Sequence, residues 1–378
     1  MKQKKSKIIV FIGHFLPGYK NGGPTRTIKN LVDAFSDYCD FGIVCNYCDL
    51  GETQPYKGIR VDQWNHYLSK YNIYYCDIKN LKTKKIIALC QGFDAVYCCG
   101  CYDPYAIRLC QSAKKGLVPK VFVAPMGNFS PNALRIKKAK KKIFFSLAKI
   151  FGLFKKITWC FTSSNEYQDG VNVLKNKRLK YIIASDLPRC ADEQELRKLN
   201  ERPNPLKIIF LSRICKMKNL KQAIEIVAEA NCECIFDIYG FIEDEGYFNV
   251  CQAEMQKLPS KVRWAYCGSV DSEKVSEVFK KYDVFVFPTL GENFGHVILE
   301  SMQSGCVPII STNTSWELEK YNTGYCIPLD NQRRFAIAIN KLNDDRELLV
   351  TLANNCIAFS QKYAKEAVEN SGYWDLLK

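Results

Sequence analysis

The sequence predicts an α/β protein with two doubly wound domains, each a mostly parallel sheet covered by helices. Three observations support this fold class. The chain has 378 residues, which suits two domains of ordinary size. Apolar, β-prone runs alternate with amphipathic helical stretches through both halves of the chain. A charged, proline-containing segment, residues 189–206, lies between the halves and indicates a linker.

The first domain is predicted over residues 1–188. Its strands are expected at seven apolar runs, with helical stretches such as residues 25–38 between them. The runs are 7–13, 41–45, 72–76, 95–99, 120–125, 158–163 and 181–184. The second domain is predicted over residues 207–362, with six further strands. Those strands are 207–212, 234–240, 262–268, 284–288, 307–311 and 325–328.

Positive charge is concentrated in one part of the first domain. The formal net charge is +15, and the stretch from Pro104 to Asn165 alone holds 13 lysines and arginines and no acidic residue. Within it, residues 135–157 place apolar side chains at three- and four-residue steps, which predicts a basic amphipathic helix. The apolar positions are Ile136, Ala139, Ile143, Leu147, Ile150 and Phe154.

Three interpretations of this helix are open. The first is docking onto an anionic membrane surface, with Phe144, Phe145 and Phe151 divided between protein core and lipid. The second is a helix that packs on its own domain and leaves a solvated basic face. The third is a nucleic-acid patch, which is less favoured because the aromatic side chains are not interleaved with the lysines. We expect the membrane interpretation.

The chain contains nineteen cysteines. The apolar run at the N-terminus is too short for an export signal, so we expect cytosolic thiols. No apolar run reaches the ~20 residues that span a bilayer. Most cysteines lie in apolar runs, where a thiol acts as a small hydrophobic group. Two pairs with CxxC spacing, Cys45/Cys48 and Cys98/Cys101, leave a four-thiolate zinc site as an alternative.

The most informative segment is residues 288–312, PTLGENFGHVILESMQSGCVPIIST. The apolar run before it predicts a buried strand, and Gly291 and Gly295 permit a sharp turn into a helix. Glu292 then lies on a loop after a parallel strand, where open α/β sheets bind ligands, and Glu300 lies in the first turns of the helix. The helix N-terminus offers N–H groups to a phosphate. This set suits a nucleotide sugar, although spacing alone also allows two solvated glutamates.

Two further loops carry groups that suit a phosphate. Arg213 and Lys218 follow the first strand of the second domain, where two cations can balance a diphosphate leaving group without a metal. Gly22 and Gly23 follow the first strand of the chain, where glycine allows close backbone approach to phosphate or sugar. Solvated cations and a flexible turn are the plainer alternatives.

The run GENFGHVILES between PT and GCVPIIS resembles the signature of the retaining nucleotide-sugar glycosyltransferases of family 4, and more narrowly their bacterial capsule and exopolysaccharide branch. FDIYGFIEDEGYF (236–248) is similar to a segment of the same branch. The resemblance is dense from about Lys207 to Asp330 and looser in the first domain. It implies the GT-B fold, in which two Rossmann-like domains face a cleft. It also implies a last helix, residues 363–378, that crosses back to the first domain.

The resemblance implies roles for individual residues. Arg213 and Lys218 would hold the diphosphate. Glu292 would hold hydroxyls of the donor sugar and Glu300 the ribose, and the catalytic set is Glu292, Arg213 and Lys218. The complete predicted donor site is Gly22, Gly23, Arg213, Lys218, Tyr239, Gly240, Ser269, Val270, Glu292, Asn293, Phe294, Gly295, His296 and Glu300.

The chain departs from the family pattern at its histidines. Many members carry a histidine near the reaction centre, but none lies at 99–100 or 126–127 here. No general base is therefore assigned. In the mechanism usually proposed for the family, the leaving phosphate can take the acceptor proton. His14 and His66 are expected to be structural or at the surface, and His296 is the better functional candidate.

The resemblance as a whole implies a retaining glycosyltransferase. It would move a sugar from a nucleoside-diphosphate sugar to a lipid-linked glycan acceptor in surface polysaccharide biosynthesis. We expect no metal, no other cofactor and no nucleic-acid partner. The expected location is the cytoplasm, at the inner face of the cell membrane. The alternatives are a nucleotide-sugar epimerase of the same fold and a nucleic-acid-binding protein that uses the basic stretch.

Overall fold

The computed structural model describes residues 5–18, 20, 22–135, 138–189, 196, 205–271, 273–292 and 294–377. It contains two compact units. Unit 1 comprises residues 1–187 together with 367–378, and unit 2 comprises residues 188–366. Most of the predicted linker, 189–206, lies outside the described residues. Each unit is an α/β structure with a largely parallel sheet, so the predicted fold class is confirmed.

The described residues of unit 1 form eight strands. They are β1 (Ser6–Phe11), β2 (Cys39–Asn46), β3 (Trp64–Tyr67), β4 (Tyr71–Cys76), β5 (Ala95–Cys99), β6 (Lys120–Ala124), β7 (Ile157–Phe161) and β8 (Tyr181–Ile183). The sheet order is β3-β4-β2-β1-β5-β6-β7-β8, with all pairs parallel except β3 and β4. All seven predicted strands are present. The edge strand β3 was missed because its run, WNHY, lacks apolar alternation.

The helices of unit 1 are α1 (Gly23–Phe35), α2 (Thr83–Cys90), α3 (Pro104–Lys114), α4 (Pro131–Arg135), α5 (Lys138–Ile150) and α6 (Ser164–Leu174). Helices cover both faces of the sheet, so alternate residues of one strand enter different cores. In β1, Ile9 packs in the core that includes α2 and α3, and Val10 packs in the core that includes α1. Burial on both faces explains why these strands are continuous apolar runs in the sequence.

Unit 2 has six parallel strands in the part of the chain that the structure describes. They are β9 (Leu206–Leu211), β10 (Cys234–Tyr239), β11 (Val262–Tyr266), β12 (Val284–Phe287), β13 (Val307–Ser311) and β14 (Tyr325–Ile327). Their order is β11-β10-β9-β12-β13-β14, and all six were predicted. The helices are α7 (Leu220–Glu229), α8 (Glu245–Met255), α9 (Val275–Phe279), α10 (His296–Gln303), α11 (Gln332–Asp344) and α12 (Arg346–Glu369). The chain reverses direction across the sheet between β9 and β12.

The C-terminal segment differs from the predicted helix over 363–378. Helix α12 begins at Arg346 and ends at Glu369, and a short 3-10 helix, Gly372–Leu376, follows it. Tyr373 is buried in unit 1, where its hydroxyl lies 3.4 Å from that of Tyr97. A Cβ at Gly372 would overlap the Ile183 carbonyl oxygen, so the close approach of this segment to β8 requires glycine.

The predicted basic helix over 135–157 is shorter than expected. Helix α5 ends at Ile150 and turns lead into β7, because Gly152 takes a left-handed conformation with φ +59°. Ile136 and Lys137 lie outside the described residues. The predicted apolar stripe also does not face the core, since Ile143 is exposed and Phe145 is buried. Along the described parts of the chain, no helix is both long and apolar enough to cross a bilayer.

Candidate functional site

The predicted donor residues of unit 2 lie at the carboxyl edge of its sheet. The loops after β9, β10 and β12 meet there because these strands are adjacent, in the order β10-β9-β12. Between β9 and β12 the strand order reverses. Such a switch point leaves a crevice in which open α/β sheets bind ligands. Lys218 follows β9 and Glu292 follows β12, so the two lie on either side of it.

Lys218 and Glu292 form an ion pair across this switch point. Their side chains are 11% and 15% exposed, so both charges are largely withdrawn from water. The ammonium also lies 5.9 Å from the ring centroid of Phe287. Backbone contacts hold the two loops together, with the Leu290 N–H donating to the Met217 carbonyl at 2.9 Å. The sequence placed both residues in one site, but it did not indicate that they would contact each other.

Arg213 forms a second ion pair, with Glu243 on the loop after β10. Both side chains are almost half exposed, so this pair is solvated and readily exchanged. The loop that carries Glu243 is fixed, because the Glu243 and Asp244 N–H groups both donate to the Ile214 carbonyl at 3.2 Å. Glu243 was not predicted as a site residue. The signal was present, since it is the first acid of the IEDE run that follows the strand.

The turn into α10 depends on Gly295. This residue has φ +74°, and a Cβ there would lie 2.9 Å from Cδ1 of Ile298. Gly291 was predicted to have the same role, but its φ is not in the left-handed region. The Trp316 indole N–H donates to the Phe294 carbonyl at 2.6 Å and fixes the approach to the helix.

The remaining predicted residues of this loop lie around the start of α10. The His296 ring packs against that of Phe294, with centroids 4.8 Å apart. Glu300 lies in the second turn and is buried. Asn293 lies outside the described residues.

The loops after β10 and β11 are joined at Gly240. A Cβ at Gly240 would overlap the Ser212 carbonyl oxygen, so the backbone of the β10 loop lies directly on the β9 loop. The Gly240 N–H donates to the Gly268 carbonyl at 2.8 Å, and the Tyr266 hydroxyl donates to the Gly240 carbonyl at 2.8 Å. The Tyr239 side chain is held by the Tyr282 hydroxyl at 3.1 Å.

Ser269 and Val270 follow this junction. Val270 packs against the core of unit 2. Gly268, one residue earlier, has φ +77°, which only glycine adopts readily. These loops are therefore fixed in position by the backbone.

In unit 1, Gly22 and Gly23 lie where β1 leads into α1. Gly22 has φ 65° and ψ −125° as the residue before the helix, and a Cβ at Gly23 would meet nothing within 4 Å. This loop follows β1, which lies between β2 and β5, so it is also at a switch point. His14 is buried, with Nδ1 2.9 Å from the Cys48 carbonyl, whereas His66 is exposed on β3.

Glu166 was not assigned a role from the sequence, although it lies in the run TSSNE. Its carboxylate accepts from the Gly127 N–H and the Thr162 N–H, both at 2.8 Å, and its own N–H donates to Ser163 Oγ at 3.1 Å. Ser163 and Glu166 have the S-x-x-E spacing of a helix capping box. Here the acid also fixes the loop after β6, where Met126 and Gly127 both have positive φ.

Unit 1 holds further acids and thiols at low exposure. Burial raises the pKa of Asp103, and it raises the pKa of Asp186 to about 6. Burial also raises the pKa values of the thiols in both CxxC pairs. Among the described residues, no group of three or more histidine, cysteine, aspartate or glutamate side chains could hold a metal ion. The four-thiolate interpretation is therefore not supported.

Known proteins share both the sequence features and the fold. Residues 191–359 match the family model described as glycosyl transferases group 1. An uncharacterised 41.2 kDa protein in the cps region of Klebsiella pneumoniae is 22% identical over 303 residues, which are 78% of this chain and 78% of that protein. The sulfoquinovosyl transferase of Arabidopsis thaliana is 24% identical over 182 residues, covering 46% of this chain and 33% of the plant protein.

Solved structures extend the similarity to the whole chain. Sucrose-phosphate synthase from Thermosynechococcus elongatus superposes with a TM-score of 0.71 at 14% identity, covering 96% of each chain. HepE from Anabaena, solved with UDP and glucose, gives a TM-score of 0.68 at 12% identity over 96% of this chain and 97% of HepE. At these identities the likeness establishes the fold. Together, the family match over 191–359 and the shared fold support the conclusion that this protein is a glycosyltransferase of GT-B fold.

Proposed function

We propose that this protein is a retaining glycosyltransferase that uses a nucleoside-diphosphate sugar and extends a lipid-linked glycan during surface polysaccharide assembly. One observation carries the proposal. The Lys218–Glu292 pair lies at the switch point of unit 2, beside the N-terminus of α10 and within the segment that matches the glycosyltransferase model. The ligand that HepE binds, UDP, supports the donor class. The cps-region relative supports the polysaccharide pathway.

The diphosphate would be bound by Arg213 and Lys218. In the free protein each cation is paired with a single carboxylate. A diphosphate brings more negative charge and more acceptor oxygens than one carboxylate, so it can displace Glu243 from the solvated guanidinium of Arg213. Lys218 is less exposed, and it would keep Glu292 on one side while it contacts phosphate on the other. Two cations and the first N–H groups of α10 would then stabilise the leaving group, without a requirement for metal.

The sugar and nucleoside would be bound on either side of the diphosphate. Glu292, fixed by its backbone N–H to the Asn313 carbonyl at 3.1 Å, would accept hydrogen bonds from donor-sugar hydroxyls. Glu300, one turn into α10, would bind the ribose. The base would bind against the backbone at Gly240 and Ser269, beside Tyr239 and Val270. Phe294, Gly295 and His296 would line the phosphates. Gly22 and Gly23, in the loop after β1, stay predicted donor-binding residues.

The proposed retaining reaction does not require a general base. No histidine follows β5 or β6 at positions 99–100 or 126–127. The leaving phosphate would take the acceptor proton as the new glycosidic bond forms on the same face of the sugar. A lipid-linked acceptor would confine the reaction to a bilayer surface, and we place the enzyme in the cytoplasm at the inner face of the membrane.

A donor screen tests the proposal. The purified protein is incubated with a panel of nucleotide sugars, and thermal stabilisation and release of nucleoside diphosphate are measured. A donor at 100 times its Kd should add about 2.7 kcal/mol to stability. Lys218→Met should abolish the response to that donor. Lys216→Met, which removes an exposed charge from the same turn, should leave it unchanged. If no nucleotide sugar stabilises the protein, the proposed function is wrong.

A further inference from the structure

Helix α5 has two apolar faces, and only one of them is buried. Phe145 and Ala148 pack into the core of unit 1, where the Phe145 ring lies 5.6 Å from that of Phe129. On the opposite side, Ile143, Leu147 and Ile150 are 60%, 47% and 75% exposed. A helix that packs only on its own domain needs one apolar stripe. The second stripe is therefore available to a partner outside unit 1.

The exposed stripe continues into the turn after the helix. Phe151 is 67% exposed and extends the row at the helical spacing of Ile143 and Leu147. Its main chain is fixed, because the Lys114 ammonium donates to the Phe151 carbonyl at 2.7 Å. We call the four side chains Ile143, Leu147, Ile150 and Phe151 the apolar tip.

Lysines surround the apolar tip. On the 3.6-residue helical period, Lys142 and Lys149 lie on one side of the stripe and Lys140 lies on the other, while Lys138 lies at the start of the helix. All four are exposed. Lys155 folds back against Gly152, just beyond Phe151. No acidic residue occurs between Pro104 and Asn165 to neutralise this charge. The surface is thus apolar at its centre and cationic at its rim.

We propose that the apolar tip inserts into the surface of an anionic lipid bilayer while the surrounding lysines contact the headgroups. A bilayer presents acyl chains beneath a layer of negative charge, which matches an apolar centre and a cationic rim. A nucleic acid presents phosphates but nothing that would bury four apolar side chains. The structure also changes which residues enter lipid. Phe145 is in the core and Phe144 packs on it at 5.2 Å, so the tip and not these rings makes the contact.

Sedimentation of the whole protein with vesicles tests this proposal. Binding is measured to phosphatidylcholine alone and to phosphatidylcholine mixed equally with phosphatidylglycerol, at low and high salt. We expect binding to the mixed vesicles only, weakened by salt. Changing the four apolar-tip residues to Ser should reduce the partition coefficient at least about tenfold. Changing Lys138, Lys140, Lys142 and Lys149 to Gln should reduce it about a hundredfold or more, since each lysine contributes roughly a factor of five.

Two control variants in unit 2 are matched to these changes: an apolar control, which removes exposed apolar area, and a charge control, which removes exposed positive charge. Val250→Ser with Ile337→Ser removes similarly exposed side chains from unit 2. The second control changes four exposed lysines of unit 2 to Gln, namely Lys257, Lys281, Lys320 and Lys362. Both should bind vesicles nearly as the wild type does. The loss of binding free energy in the charge control should be less than a third of the loss in the α5 lysine variant.

Three results would overturn the proposal. In the first, the wild-type protein does not bind the mixed vesicles at low salt. In the second, the apolar-tip variant binds them as the wild type does. In the third, the protein binds single-stranded RNA and does not bind vesicles. The proposal does not rest on the proposed enzyme activity. Donor stabilisation is measured without lipid, so failure of one proposal leaves the other intact.

Discussion

Replacing Lys218 with Met tests whether one ion pair has two separate roles, in stability and in catalysis. The change keeps most of the side-chain volume beside Phe287 and removes the charge. The Glu292 carboxylate, only 15% exposed, then loses its ionic partner. Leaving a poorly solvated charged group without its partner costs about 1–3 kcal/mol, and the residual exposure favours the lower part of that range. The same change removes one proposed cation from the diphosphate, which should reduce kcat/KM by about 10²–10³.

The double variant Lys218→Met/Glu292→Gln separates the two roles. With both charges removed, no unpaired ion remains, so most of the lost stability should return. Activity should not return, because neither the cation nor the sugar-binding carboxylate is present. Denaturant unfolding gives the stability of each variant, and kcat/KM with the donor identified by screening gives the activity. Lys216→Met serves as the control in the same turn.

Two outcomes would refute this reasoning. A near-normal kcat/KM in Lys218→Met would remove the lysine from the site. Recovery of activity together with stability in the double variant would mean that the pair is only structural.

Four further predictions concern the same site. Arg213→Ala should lower kcat/KM by about 10²–10³ with little change in stability, because its ion pair with Glu243 is solvated. Glu243→Gln should tighten binding of the free nucleoside diphosphate by up to about fivefold, because the Glu243 carboxylate would no longer compete with the diphosphate for Arg213. Weaker binding in Glu243→Gln would contradict this competition. Glu300→Ala should weaken binding of the nucleoside diphosphate in calorimetry, and Glu292→Ala should not; the reverse pattern would exchange their roles. Cys267 is the one exposed cysteine in the described part of the chain and lies next to the predicted base-binding loop, so nucleotide should protect it from alkylation, as mass spectrometry can detect. Equal labelling with and without nucleotide would move the base elsewhere. Activity should persist in a chelator, and a loss that Mn²⁺ or Mg²⁺ restores would show that the cations alone do not balance the diphosphate.

Much of the fold could be predicted because its strands are buried on both faces. A strand such as β12, VFVF, is apolar at every position whatever its neighbours are, so composition alone identifies it. Strand β3 could not be found in this way, because an edge strand is specified by its pairing with β4 and not by its own apolarity. The helix over 135–157 was predicted too long because periodicity alone does not show where a helix ends. Its periodicity continues past Ile150, but the positive φ of Gly152 ends it.

The sequence by itself indicated which loops carry the candidate site, since Arg213, Lys218 and Glu292 each lie between a recognisable strand and the next helix, and Glu300 lies early in the helix after Glu292. Only the tertiary structure decided which of these groups contact one another. Lys218 and Glu292 are 74 residues apart, and their pairing depends on β9 and β12 being neighbours in the sheet. The tertiary structure also decided which apolar face of α5 is buried. Helical periodicity shows that an apolar stripe exists, but whether it meets the core or the solvent depends on how the helix packs on the sheet.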